Sequence, residues 1–410
     1  MMTYQERLSR NVYRTLLVGF FQVFLVIIPV AVPFFGSHGL SMQDVFSLQA
    51  LFGFVVLVTE VPSGYIADLL GRKNTLVVGA VFAAIGHSCL LIAEGFWTLA
   101  LFELFLGLSH SLISGADLAL LYDTELALGR SEDEQRQVVG KLYSARTFSE
   151  ALAGVACSMV MMFAGFKELV YLQVAIGWIP VLLVWRLVEP PGERLANEGH
   201  FANMQNIMRY LIGHSSVLRL VVLALSIWSL TTFYAVWLLQ QLWQEQGIEL
   251  AHFGWLWGGL TLVAALAGRW AHRLESALGA KGVLLFIGIA PAVGYLGLET
   301  LGVAGGIVAS TTFFLARGFG LVILRDALNK RVPSEFRATA NSLASFGFRG
   351  AFVVTGPIVG YVFDLWGMAF TLALLVVVTL VIFVTLILPL IAAVKSLPEQ
   401  PVACGEIGGG

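Results

Sequence analysis

The run Glu60–Gly79, EVPSGYIADLLGRKNTLVVG, decides how the rest of the chain reads. At its centre, Gly64-Tyr65-Ile66-Ala67-Asp68-Leu69-Leu70-Gly71-Arg72-Lys73 sets one acid and a basic pair between two long apolar runs. Charge at that density beside hydrocarbon-length segments belongs in a short loop at a membrane face. Gly64 lets helices approach closely, and Gly71 turns the chain tightly. Asp68 is favoured if it lies near the N-terminus of a neighbouring helix, whose dipole attracts an anion. Arg72 is placed to reach a carboxylate such as Asp123.

Composition agrees with a membrane setting. Apolar residues make up 58% of the 410-residue chain and charged ones 12%, against about 45–50% and about 25% in soluble domains. Such a chain cannot clothe a water-facing surface with charge. Long unbroken apolar runs exclude a β-barrel, whose strands alternate. The formal net charge of -2 gives no basic surface for nucleic acid. Three cysteines, Cys89, Cys157 and Cys404, have no metal-ligand or disulfide spacing. The first apolar run is too long for a cleavable signal and lacks a small-residue cleavage site.

Spans are predicted at 13–35, 45–69, 75–94, 96–121, 139–165, 168–188, 215–243, 251–273, 282–299, 302–326, 338–363 and 368–394. With both termini in the cytoplasm, twenty of the 24 Lys and Arg fall at the cytoplasmic side, Lys167 falls outside, and Arg146, Arg317 and Arg349 stay within spans. That bias fixes the orientation. Glu189-Pro190-Pro191-Gly192 stops the sixth span, because proline cannot donate to the helix ladder. The chain thus divides into a first bundle (1–188), a linker (189–214), a second bundle (215–395) and a tail (396–410). A weak internal repeat supports the division. Gly268-Arg269 to Gly279-Ala280-Lys281 occupies the place of the Gly-Asp-Gly-Arg-Lys loop without the Asp, and RQVVGKLYS from Arg136 matches RATANSLAS from Arg337.

The spacing G-x-x-x-D-x-x-G-R-K between the second and third spans resembles the signature loop of the major facilitator superfamily of secondary transporters. Arg317-Gly318, Arg325-Asp326, Arg349 and Gly356-Pro357, with Ser114-Gly115-Ala116-Asp117, extend the likeness to a bacterial branch of uncertain substrate. The resemblance implies an all-α integral membrane fold of about twelve transmembrane helices in two pseudo-symmetric six-helix bundles. It also implies alternating access, a bacterial inner-membrane location and a charge latch built from Gly64, Asp68, Gly71, Arg72, Lys73 and Asp123, closed when the pocket faces outward. The alternative for that loop is a plain topology anchor. Two departures weaken the likeness to drug/proton antiporters: Glu103 stands where an Arg is usual, and the fifth span lacks Gly-Pro.

Within the fourth span, Glu103, Gly107, His110, Ser114 and Asp117 recur at helical spacing on one face. Ionisable groups in hydrocarbon are costly and face a bundle interior or a wet cavity. They are therefore candidates for proton or substrate binding, or else partners that neutralise arginines. Arg317 and Arg349 lie near mid-membrane and hold either a substrate anion or one of Glu103, Asp117 and Glu150. Arg146 and Glu150, one turn apart, are expected to pair with each other. Thr231, Tyr234, Leu238 and Gln241 share a face of the seventh span, and Gln22 is the lone strongly polar residue deep in the first; Tyr234 and Gln22 are the pocket candidates. Pro29 and Pro33 are expected to bend that span. No phosphate-binding loop and no catalytic constellation is present, so neither ATP-driven transport nor an enzyme is expected. The reading is a monomeric secondary transporter of a small organic solute, expected to be proton-coupled efflux, without cofactor or metal. An importer or facilitator of an organic anion is the second reading, and a non-transporting receptor or scaffold the third.

Overall fold

The computed structural model describes residues 3–191, 215–333 and 336–395, with the side chains of residues 61, 64, 65, 68, 132, 338 and 395 excepted. Gly64 and Asp68 of the expected latch, most of the 189–214 linker and the 396–410 tail therefore lie outside the described residues. Helix is the one regular structure among those described. In chain order the helices are α1 (Tyr4–Gln22), α2 (Ala31–Ser37), α3 (Met42–Leu70), α4 (Arg72–Cys89), α5 (Phe96–Ala127), α6 (Glu132–Phe163) and α7 (Phe166–Trp185). Then come α8 (Ser216–Glu245), α9 (Leu250–Thr300), α10 (Gly302–Arg331) and α11 (Arg337–Ile382), which runs on through Phe383–Ile387 to Lys395. Eight of the described helices are long and apolar enough to cross a membrane.

Start signals sit where sequence chemistry places them. Thr3 with Glu6, Ser41 with Asp44, and Ser131 with Glu134 form reciprocal capping boxes at α1, α3 and α6. The first predicted span is broken rather than bent. α1 stops at Gln22, and a short turn over Ile28–Val30 leads into α2. Pro29 has no N–H to continue the ladder, and the freed backbone groups find side chains instead. Ile27 N donates to Gln173 Oε1 (3.3 Å) and Val32 N to Gln240 Oε1 (3.0 Å), both amides fully buried.

Two helices are too long for one crossing. At about 1.5 Å per residue, the 51 residues of α9 span about twice a hydrocarbon core. α9 breaks at Gly279 (φ 68°, ψ 166°) and α11 at Gly367 (φ 74°, ψ -176°). Gly71, between α3 and α4, has the same conformation as Gly279 (φ 88°, ψ 159°). The internal repeat thus has a geometric basis: each half turns on a glycine that L side chains cannot replace without strain.

One face gathers the basic helix ends. Asn11 exchanges hydrogen bonds with Val188 (2.6 and 3.0 Å) and Arg14 donates to the Arg186 carbonyl, joining the start of α1 to the end of α7. In the second half, Arg337 at the start of α11 donates to Asn329 O at the end of α10 (2.9 Å). The halves meet through two antiparallel pairs, α3 with α11 and α6 with α9. Small residues allow the second: a Cβ on Gly154 would lie 2.6 Å from Gly254 O, and Ser158 Oγ accepts from Trp255 N (2.9 Å). Away from the basic face a single apolar core draws on both halves, from Val26 and Phe46 to Trp243, Phe253 and Phe352. Toward the basic face the cores separate. One is built wholly from residues 217–391 and the other two from residues 18–187. The molecule is sealed on one side and divided on the other.

Candidate substrate cavity and gate

A cavity of about 390 Å³ opens in the second half, between α8, α10 and α11. Its wall on α8 follows from a π turn over Ala224–Trp228, a distortion that recurs at functional sites because it re-aims side chains. The turn brings Trp228, Ser229, Thr232 and Phe233 to the cavity. It is held by Ser226 Oγ, which donates to Val222 O (2.9 Å) and Ala344 O (3.2 Å). Tyr234, expected at the pocket, is instead buried in the sealing core, with its hydroxyl 2.6 Å from Thr355 Oγ1.

Arg317, Arg325 and Arg349 supply the cavity's charge. Arg317 lies over the Phe233 ring at 5.7 Å, and Glu150 acts on it electrostatically through space. Arg349 places its guanidinium 6.0 Å from the Phe52 ring, with Nη2 3.2 Å from His110 Nε2. Its Nε is buried without a hydrogen-bond partner, and Glu60 is its through-space acidic neighbour. Among the described residues neither Arg317 nor Arg349 forms an ion pair. His110 crosses the gap between halves to reach Arg349.

The polar stripe of α5 does not face one cavity. Glu103 is buried against α3, where Gln49 Nε2 donates to it at 2.6 Å. Gly107 packs on Val55 and the Phe52 carbonyl. Asp117 is ion-paired with Arg146 of α6, which also donates to Gln22 Oε1 of α1 (3.3 Å). Two expectations change here. Arg146 pairs with Asp117 and not with Glu150, because the neighbouring helix offers a buried carboxylate that also accepts from Leu118 N (2.6 Å). Glu103 and Asp117 are both engaged inside the first half, so neither is the partner of Arg317.

At the basic face, Arg72 Nε lies 3.5 Å from Asp123 Oδ2. Both belong to the first half, so this pair does not span the gap, and it is present while that face is divided. Glu189, read from sequence only as the end of the sixth span, accepts from Arg72 N (2.7 Å) and Lys73 N (2.8 Å), capping α4 with a carboxylate. A second such cap was also missed. Asp364 accepts from Met42 N (3.0 Å) and Gln43 N (2.8 Å) at the start of α3 and joins the two halves on the sealed face.

The sequence model of the Major Facilitator Superfamily matches residues 15–330. No curated protein matches the chain. Solved structures share the fold at low identity. The nucleoside transporter NupG superposes with a TM-score of 0.76 at 12% identity, over 94% of this chain and 100% of its own. A bacterial homolog of the human lysosomal transporter Spinster, inward-facing and unoccupied, gives 0.74 at 14% identity, over 95% and 97%. A D-xylose-proton symporter gives 0.67 at 14%, over 91% and 96%.

Proposed function

Because the chain belongs to the Major Facilitator Superfamily, we propose that it is a multi-pass secondary transporter working by alternating access. In this reading its twelve spans form two six-helix bundles, 1–188 and 215–395, with the basic face and both termini in the cytoplasm of a bacterial cell. One observation carries the reading: the shared core on one side and the separate cores on the other, with a cavity reaching the divided side. That is an inward-facing state, the state in which the Spinster homolog was crystallised.

The cargo in this reading is a small organic anion with an apolar or aromatic body. Two half-buried guanidinium groups without an ion-pair partner among the described residues carry a desolvation cost that an anion can offset, and their planar forks suit a carboxylate or phosphate. Phe233, Phe348 and Trp228 supply the apolar wall. Coupling to protons follows from Glu150 and Glu60, the through-space neighbours of the two arginines. An anion that takes over the arginines leaves each acid without its positive neighbour, and a proton restores neutrality. Proton and anion then travel together, which fits uptake better than the efflux expected from the likeness of sequence.

The test is a thermal-shift screen of the purified protein against organic anions, followed by uptake into proteoliposomes under an imposed pH gradient. A stabilising anion whose effect vanishes in Arg317→Gln and Arg349→Gln supports the reading. Stabilisation by neutral or cationic solutes alone, or anion binding indifferent to both arginines, overturns the cargo assignment.

A further inference from the structure

The cavity has two positive ends and an apolar middle. Arg317, Leu321 and Arg325 recur at every fourth residue of α10, and all three line it. Such spacing keeps them on one face of the helix. Arg317 is half-buried, while Arg325 is exposed and stands nearer the basic end of α10. The two arginines are eight residues apart, about 12 Å along the helix axis. Side chains on a helix lean toward its N-terminus, so both guanidinium groups lean the same way and the gap between them persists.

The facing wall repeats this order. Asn341 of α11 donates to Asn329 Oδ1 near the end of α10 (2.7 Å), which marks the outer end of the cavity. Its amide also donates to Arg337 O (2.8 Å), which leaves Arg325 to supply the outer charge. Ala344 and Phe348 line the middle, and Arg349 stands eight residues further in than Asn341. On α8, Ser229 lies one turn before Phe233, whose ring Arg317 covers. Its Oγ is buried without a hydrogen-bond partner among the described residues. No carboxylate occurs among the described residues that line the cavity. An anion held only at the inner end leaves the outer charge unanswered in the same space.

We propose that the cargo is an organic dianion with its two charged groups at opposite ends of an apolar body. Arg317 and Arg349 hold the inner group, and Arg325 holds the outer one. The class that fits is a medium-chain α,ω-dicarboxylate, whose second carboxylate the fork of Arg325 can grip. The assignment rests on the anionic-cargo reading and narrows it.

Binding to the full-length protein in lipid nanodiscs is measured by isothermal titration, with empty nanodiscs as the blank. The probes are octanoate, octanedioate and butanedioate. Octanedioate should bind about tenfold or more tightly than octanoate, the gain from one charge-assisted contact. Arg325→Gln should weaken octanedioate by about tenfold but butanedioate by about twofold or less, because the shorter dianion has the same charge and cannot reach both ends. Arg317→Gln should weaken all three. If no anion of any kind stabilises the protein through Arg317 and Arg349, the cargo reading fails and the dianion with it. If anions do bind through those two arginines, but octanoate matches octanedioate or none of these probes binds, the dianion is overturned and the cargo reading stands. Equal weakening of octanedioate and butanedioate by Arg325→Gln also overturns it, because Arg325 then acts only as a distant charge. The octanoate comparison needs no variant, so the proposal stays falsifiable even if Arg325→Gln folds poorly.

Discussion

The two halves treat their half-buried arginines differently. In the first half Arg146 is met by Asp117 and by Gln22, so three helices close around a neutral cluster. In the second, Arg317 and Arg349 rest against aromatic rings and form no ion pair among the described residues; a buried Nε without a hydrogen-bond partner is common to Arg146 and Arg349 and does not separate the halves. A finished ion pair holds helices together, whereas an unfinished one carries a desolvation cost that a ligand can offset. The three arginines differ in pairing: Arg146 has a carboxylate partner, and among the described residues Arg317 and Arg349 have none.

The sharpest way to break this contrast is to unpair the first half. Asp117→Asn should destabilise the protein by about 3 kcal/mol, at the lower end for a broken buried pair because the Arg146 side chain keeps 21% exposure. Chemical denaturation in detergent would read this, and a loss under about 1 kcal/mol would mean that the pair behaves as a surface one. The glycine turns offer a second contrast between the halves. Gly71→Ala should cost about 2 kcal/mol and Gly279→Ala about 1 kcal/mol. Both share the left-handed strain, but a Cβ at Gly71 also meets Glu189 Oε1 at 2.8 Å while Gly279 has open space. Equal melting-temperature losses would show that strain alone decides. Gln22→Leu removes one acceptor of Arg146 and should cost about 1 kcal/mol. The smallest effect on the empty protein belongs to Arg317→Gln, expected to change its stability by less than about 1 kcal/mol while abolishing stabilisation by the bound anion. A large loss in the unliganded variant would instead reveal a structural partner for Arg317.

Much of this was legible in the order of residues, and the illegible part has a common cause. The loop at Gly71 announces the membrane boundary, the turn and the Arg72–Asp123 pair, because each depends on neighbours in sequence or on charge beside apolar runs. Helical periodicity gathers Glu103, His110 and Asp117 on one face of α5. It cannot say that the face is shared among α3, α6 and Arg349 of the other half. Arg146 shows the limit most clearly. Its nearest acid along the helix is Glu150, yet its partner comes from α5, 29 positions away. Tyr234 keeps the regular period of its helix, but periodicity cannot say which neighbours fill the space beside it, here Phe46 and Phe352. Asp364 was missed because the two N–H groups it caps lie 322 and 321 positions away along the chain.

The broken first span has a mechanical consequence. Its two loose backbone groups, only five residues apart, are tied to opposite halves: Ile27 to Gln173 and Val32 to Gln240. A short stretch of chain anchored at both ends behaves as an inextensible strut. Rotation of one half against the other can preserve both anchors only if its axis passes close to that strut. In the alternating-access reading, residues 27–32 are the place for a fulcrum, set off toward the sealed side. The lever arm is longest at the basic ends of the helices, where a small turn opens the widest gap.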